Sequence, residues 1–322
     1  MRALRYHRYG PPEVLQIDDL PEPSPGADEA KVLVRAVALN PLDWKIRAGH
    51  VRYVPLFRPP PRGVGFDFAG EIAGVGGGTR RRIGERVFGS MSPFGREAAC
   101  AEYIVVPFDR LMPLPDEVEE VQAAALPIAG GTALQALDDD AQADEMEEGA
   151  RVLITGAAGG VGHFAVQIAK YFGLHVVGVC SAANADFVRL LGADEVVDYA
   201  KEDFTQRSDR FDVVFDAACA SSFALSRRVL TDSGCYINTS GDMNSLLTTA
   251  GSALFARLTS RQRAIPFALR NGPALWGRLL DLLRRGVIRP HVERTIALED
   301  VAGALRAMET GHARGKIVVQ LD

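Results

Sequence analysis

The sequence predicts an α/β protein in two parts, a β-rich first part followed by a doubly wound parallel sheet of the kind that holds a dinucleotide. Three observations predict it. Residues Val152 to Gly162, VLITGAAGGVG, place a short β-branched strand directly before Ala157-x-Gly159-x-x-Gly162. Phe164, Ala165, Ile168, Ala169 and Phe172 then recur at helical spacing, so the turn opens onto an amphipathic helix whose free N–H groups can receive a phosphate. Strand and helix patterns alternate from Val121 onward, as a parallel sheet covered on both faces requires. A glycine string alone is common, but here the strand, turn and helix that its mechanism needs are all present. The alternative is a glycine-rich turn that binds nothing.

In chain order, Lys31–Leu39 and Glu71–Val75 have strand composition, with prolines and glycines punctuating the sequence between them. After Val121 the pattern predicts a strand over Arg151–Thr155, a helix from Val161, a strand from His175 and a helix over Asp186–Leu191. Strands over Glu195–Tyr199 and Phe211–Ala217, a helix over Phe223–Leu230 and a strand over Cys235–Ser240 follow. Leu275, Leu279, Leu282 and Leu283 mark one further helix. Val301, Leu305 and Met308 mark another, closed by Gly311 at C′, and Lys316–Leu321 is a final strand. Neither the tail nor the first segment makes a stable unit readily on its own, so the tail is expected to pack back on the first part. The expected domains are 1–124 with 287–322, and 125–286.

Composition agrees. A chain of 322 residues with 47% hydrophobic content can pack two cores, and a net charge of −5 gives no field to recruit nucleic acid or an anionic membrane. Arg80-Arg81-Arg82, followed by Ile83-Gly84-Glu85, reads as a solvated turn. Cys100, Cys180, Cys219 and Cys235 are widely separated, which suggests neither a disulfide framework nor a zinc knuckle. The start, MRALRYHRYG, lacks an apolar signal core, and the uncharged stretch Val121–Leu137 is interrupted by Pro127, Gly130 and Gly131. The expectation is a cytoplasmic protein acting on a small molecule, with no membrane span.

The choice of dinucleotide turns on the second strand, His175–Cys180. An acidic side chain about 20 residues past the glycines normally holds the adenine ribose 2′-hydroxyl. The tip here reads Cys180-Ser181-Ala182-Ala183-Asn184, without a carboxylate. A small hydroxyl and an amide accept a 2′-phosphate that Asp or Glu would repel, so NADPH is favoured over NADH. No Arg or Lys stands at the tip to neutralise that phosphate.

From end to end the chain resembles the medium-chain dehydrogenase/reductase superfamily, in its zinc-free quinone oxidoreductase (zeta-crystallin-like) branch. The markers are Asn40-Pro41-Leu42-Asp43-Trp44-Lys45, Gly65-Phe66-Asp67-Phe68-Ala69-Gly70, Gly84-Glu85-Arg86-Val87-Phe88-Gly89, the glycine loop, Leu191-Gly192-Ala193-Asp194 and Arg314-Gly315-Lys316. The resemblance implies a GroES-like catalytic domain beside a Rossmann domain, and a homodimer. In the zinc alcohol dehydrogenases of this superfamily a Cys at the segment of Asn40 and a His-Glu pair at Phe66-Asp67 hold the catalytic metal. Asn supplies no thiolate and Phe cannot coordinate, and the segment Ser90–Cys100 has a single thiol where the structural zinc needs four. No metal is therefore expected. Without a Lewis acid the acceptor must be electron-poor, such as a quinone or an α,β-unsaturated carbonyl.

The resemblance also implies contacts. Thr132 matches a threonine near the nicotinamide, Ala158, Gly159, Gly160, Val161 and Gly162 cradle the pyrophosphate, and Ser181 lies near the adenine ribose. Tyr199 matches a tyrosine set against the 2′-phosphate, Asn184 stands where relatives have a lysine, and Ile237-Asn238 borders the nicotinamide ring. On the substrate side, Asn40, Asp43 and Tyr53 are the candidate catalytic residues. Each has a plainer role open to it: Asn40 before Pro41 shapes a turn, Asp43 caps the following helix, and Tyr53 is a half-buried aromatic. His50, His163 and His175 offer no catalytic spacing. The favoured reading is an NADPH-dependent reductase of quinones or enones. The alternatives are a pathway-specific enoyl reductase and an NADPH-binding structural or regulatory protein with little turnover.

Overall fold

The structure, a computed structural model, describes residues 1–77, 82–239, 251–252, 261–311 and 313–321; Arg80, Arg81 and Ser240 lie outside the described residues. Two compact units divide the chain. The first comprises Met1–Ala129, Asn271–Arg284 and Pro290–Asp322, and the second Gly130–Arg270 and Arg285–Arg289.

In the first unit, β1 (Arg2–Tyr6), β2 (Leu15–Asp19) and β4 (Arg62–Gly63) form a small sheet in the order β2-β1-β4. The larger sheet is centred on β3 (Glu29–Ala38), whose residues alternate between half-buried and buried before the last three sink fully into the core. It joins β5 (Asp67–Val75), β6 (Arg86–Ser90), β8 (Leu111–Pro113), β15 (Val292–Ile296) and β16 (Lys316–Gln320) in the order β15-β16-β3-β5-β6-β8, with β7 (Tyr103–Pro107) also on β3. The register sets Ala38 opposite both Asp67 and Val318, and Asp67 opposite Ser90. The tail strand β16 thus pairs with β3. The helix Pro273–Arg284 also belongs to this unit, although it lies within the expected bounds 125–286 of the other domain. Its apolar face, Leu275, Trp276, Leu279, Leu280 and Leu282, is buried, and the Trp276 ring lies 6.3 Å from Phe88.

The second unit is a six-stranded parallel sheet of β9 (Arg151–Thr155), β10 (His175–Cys180), β11 (Glu195–Asp198), β12 (Phe211–Asp216), β13 (Leu230–Asn238) and β14 (Arg263–Pro266). Its order, β11-β10-β9-β12-β13-β14, reverses direction between β9 and β12, so the crevice beyond their carboxyl ends is where such sheets bind ligands. The helix expected over Phe223–Leu230 stops at Ser226 and β13 begins at Leu230. A short apolar run such as Val229-Leu230 suits either element, and here pairing of Leu230 with Phe211 decides. Gly311 follows the helix Val301–Glu309 with φ 75°, the left-handed C′ geometry that favours glycine.

Candidate functional site

β9 ends at Thr155 and the chain turns through Gly156 into the helix Gly162–Tyr171. A Cβ at Gly162 would lie 2.1 Å from the Gly156 carbonyl oxygen and 2.7 Å from Ala157 Cα, so packing of the turn on its helix demands glycine there. Gly159 differs, because a Cβ would meet only the Gly156 oxygen, at 3.2 Å. A side chain at 159 would thus press on that one oxygen, a milder conflict than at 162. Ala158 is buried, while Gly160 and Val161 are half-buried. His163 is fully buried, its ring nitrogen 3.0 Å from the Gly159 carbonyl, which is a packing role. Thr132 is buried in the helix Gly131–Leu134, which packs against the helix after the loop.

At the neighbouring edge, Cys180 pairs with Asp198, so Ser181 and Tyr199, the next residue of each strand, stand side by side where the strands end. The Asn184 amide donates to the Ser181 hydroxyl at 3.3 Å, and Tyr199 is 57% exposed. Lys201, two residues past Tyr199, has its ammonium 3.9 Å from Asp198 and an 80% exposed side chain. Sequence reasoning looked for a cation at the β10 tip and missed one that follows the adjacent strand.

Between β9, β12 and β13 a fully buried carboxylate, Asp216, gathers donors. It accepts from Thr155 Oγ1 at 2.5 Å, the Ala220 and Ser221 amides at 2.9 Å each, and the Tyr236 hydroxyl at 2.9 Å. Asn238 donates to the Tyr236 oxygen at 3.0 Å, and Ile237 is buried between them. Burial beside Asp216 pushes the Tyr236 phenol up, so it stays a donor. The network fixes the carboxyl ends of three strands next to the glycine loop. Thr155 and Tyr236 lie 61 and 20 positions from Asp216 in the chain, and the set carries no motif.

The substrate-side candidates are built by the other unit. Asn40 precedes the helix Pro41–Ala48, and its backbone N–H donates to Asp43 Oδ2 at 2.6 Å while Gly65 N–H donates to Asp43 Oδ1 at 2.9 Å. Asp43 thus caps the helix start and spends both oxygens on backbone amides. Asn40 Nδ2 donates to Asp67 Oδ2 at 2.9 Å and to the Ala38 carbonyl at 3.2 Å. Asn40 Oδ1 accepts from Lys316 Nζ at 2.6 Å, and the same ammonium reaches the Leu39 carbonyl at 2.8 Å. A cation on one side and a carboxylate on the other fix which way the amide points. Asn40, Asp43, Asp67 and Lys316 are all at most 3% exposed.

Sheet register makes this meeting, since Asp67 and β16 flank the end of β3 and Ser90 lies opposite Asp67. Burial pushes the Asp43 carboxyl up to about 7, against its two amide donors. Burial also raises Asp67 to about 6, with Lys316 and Asn40 opposing, and lowers the Lys316 ammonium, with both carboxylates opposing. Ser90 lies close enough to Asp67 to favour its charged form, yet Ser90 Oγ and Asp67 Oδ1 are buried without a hydrogen bond of sound geometry. Tyr53 stands apart from the cluster, 81% exposed with the Arg52 guanidinium 4.6 Å from its ring centroid. Asp67 entered the sequence analysis as the match to a metal-ligand position and Lys316 as a family marker; a charged residue opening an apolar strand, as in Lys316-Ile-Val-Val, was the signal available.

Among the described residues no group of three or more His, Cys, Asp or Glu could hold a metal, and no helix is long and apolar enough to cross a membrane. Residues 26–116 match the alcohol dehydrogenase GroES-like domain, and residues 191–319 match the family described as zinc-binding dehydrogenase. The chain is 33% identical over 329 residues to the chloroplast envelope quinone oxidoreductase homolog of Arabidopsis thaliana, covering 99% of this chain and 98% of that protein. It is 30% identical over 330 residues to the same plant's chloroplastic NADPH-dependent alkenal/one oxidoreductase, covering 99% of this chain and 79% of the other. The Escherichia coli quinone oxidoreductase solved with NADPH superposes with a TM-score of 0.85 at 26% identity, covering 100% of both chains. With its GroES-like sheet unit and its Rossmann unit, this chain belongs to the quinone oxidoreductase branch of the medium-chain dehydrogenase/reductase superfamily and is an oxidoreductase.

Proposed function

We propose that the chain is an NADPH-dependent, zinc-independent reductase of quinones or α,β-unsaturated carbonyls. The observation that carries this reading is Lys316, a buried ammonium 2.6 Å from Asn40 Oδ1, at the residue that stands in place of a zinc ligand in the metal-dependent relatives. A divalent ion would have to displace that cation and would find an amide and Phe66 in place of thiolate and imidazole, so the residues do not fit zinc. A reductase without a Lewis acid needs an acceptor whose own conjugation spreads the incoming charge, and quinones and enones are such acceptors. The names of the relatives are consistent with both classes.

When bound, the nicotinamide supplies the hydride. The chain's own residues do the rest. The bare backbone of Gly159, Gly160, Val161 and Gly162 takes the pyrophosphate, beside Ala158 and Thr132. Ser181, Asn184 and Tyr199, with Lys201 as the nearby cation, receive the 2′-phosphate. Ile237 and Asn238, held by the Asp216 network, border the ring. In the other unit, Asn40 is a positioning residue, since both its N–H donors are already engaged. Asp43 and Asp67, their carboxyls raised by burial to about 7 and about 6, hold protons near neutrality beside the Lys316 ammonium. Of the three candidates, Tyr53 keeps an exposed hydroxyl for a substrate oxygen.

The test is a panel of quinones and enones followed by loss of NADPH absorbance, with NADH in parallel and chelator present. Turnover of some members with a preference for NADPH is expected. Tight NADPH binding with no oxidation anywhere in the panel would overturn the reading in favour of a binding protein.

A further inference from the structure

Between Asp43 and Asp67 the chain has no acidic residue and five basic ones, Lys45, Arg47, Arg52, Arg58 and Arg62, in a protein of net charge −5. Two of these are used internally. Arg47 is buried against Glu309, and Arg62 is buried with its guanidinium donating to the Arg58 carbonyl at 2.9 Å and the Pro93 carbonyl at 2.6 Å. Arg62 therefore clasps the turn 51–61 to the turn 91–97, and the Phe57 and Phe94 rings meet edge to face across them at 5.0 Å.

Two features coincide on the surface of this clasp. Tyr53, Leu56 and Phe94, large side chains on the two clasped turns, are exposed at 81%, 58% and 38%. Arg52, Arg58 and Arg96 are exposed around it, and none has a carboxylate partner among the described residues. Arg2, Arg306 and Arg284 of this unit pair with Glu299, Glu13 and Glu117, while Arg8, Arg82 and Arg294 are exposed without a carboxylate partner among the described residues; what the clasp adds is three such arginines on two turns that also expose large apolar side chains. Glu97, the neighbour of Arg96, lines a different groove with Met1, Arg5 and Glu22.

The geometry points to a substrate subsite: the acceptor reduced by this protein carries an anionic group, a phosphate, carboxylate or sulfonate, which Arg58 and Arg96 bind while Leu56 and Phe94 cover its apolar body. This rests on the reductase reading and on Tyr53 lying on the substrate side. Three unpaired guanidiniums rimming apolar surface suit a small amphipathic anion, with the charge held by planar forks and the apolar part desolvated.

The test compares naphthoquinone with naphthoquinone sulfonate. Dissociation constants come from quenching of tryptophan fluorescence, and kcat/KM is measured with NADPH. In the unsubstituted protein the preference for the sulfonate should weaken with added salt. In Arg58→Ala/Arg96→Ala the ratio of the two dissociation constants should shift against the sulfonate by about tenfold or more, and Arg58→Lys/Arg96→Lys should restore part of it. A ratio unchanged by the double substitution overturns the proposal. So does retention of the protein on phosphatidylglycerol vesicles with an unchanged ratio, which would make the patch a lipid contact. Failure of the reductase reading would show separately, as absence of turnover with both quinones, while the binding ratio still decides the subsite.

Discussion

The glycine loop and the Asn40–Lys316 cluster treat their polar groups in opposite ways. The Gly159 N–H closes the turn on the Gly156 carbonyl at 2.8 Å, while the amides of Gly160, Val161 and Gly162 at the helix start have no intrahelical acceptor, and a Cβ at 159 would press only on the Gly156 oxygen, at 3.2 Å. The cluster spends nearly every polar atom on itself, with Asn40, Asp43 and Lys316 all engaged by other parts of the same unit. An open loop is what a ligand of fixed charge needs. A closed network is what holds charges and protons in place out of water. The two should therefore respond differently to substitution, the loop in affinity and the cluster in stability and pH dependence.

The largest effect is expected at Lys316. Lys316→Met leaves Asp67 buried and unpaired and should lower unfolding free energy by about 3–5 kcal/mol in urea denaturation. Adding Asp67→Asn should recover part of the loss. Purely additive costs in that double-mutant cycle would mean the pair is not coupled, and the contrast with the loop would be lost.

The cluster should also leave a pH signature. Burial raises the folded-state pKa of Asp43 to about 7 and of Asp67 to about 6, above the ordinary carboxylate range. The folded state then binds more protons than the unfolded chain between pH ~4 and those values, so this contribution is complete below pH ~4 and is lost as pH rises through about 6 to 7. Asp43→Asn should remove much of it, by roughly 1–3 kcal/mol in the difference between variant and parent at the two ends of that range. Parallel stability profiles would show that Asp43 does not titrate there.

How much of this was legible in the sequence follows from chain distance. The loop is contiguous, so strand, glycines and helix could be read in one window, and Gly162 and Gly159 stand where the pattern put them. The cluster joins residues from positions 40, 43, 67 and 316, and only the pairing of β3 with β5 and β16 brings them together. The sequence offered Asn40 and Asp43 as candidates but gave no sign that Asn40's donors would be consumed. Asp216 was missed for the same reason, and Lys201 because the cation comes from the strand beside the one inspected. The helix Pro273–Arg284 was legible from its leucine spacing, but its packing of Trp276 on Phe88 was not, since those residues lie far apart in the chain.

On the loop's side the effects fall on binding. Gly159→Val should weaken NADPH by at least tenfold, about 1.4 kcal/mol, with the fold largely kept, whereas Gly162→Val forces a side chain into backbone and should cost stability. Calorimetry giving unchanged NADPH affinity for Gly159→Val would mean the loop does not hold the phosphates. Asn184→Lys should strengthen NADPH by about 1–3 kcal/mol and leave NADH nearly unchanged, with Tyr199→Phe acting oppositely on a smaller scale. Equal responses of both cofactors would move the 2′-phosphate away from this edge.

The proposed zinc independence, which the bond of the buried Lys316 ammonium to Asn40 supports, is tested most directly by the zinc content of the purified, catalytically active protein after equilibration with zinc and gel filtration. Lys316 bonded to Asn40 predicts no stoichiometric zinc and unchanged NADPH affinity after chelation. One tightly held zinc per chain would contradict it.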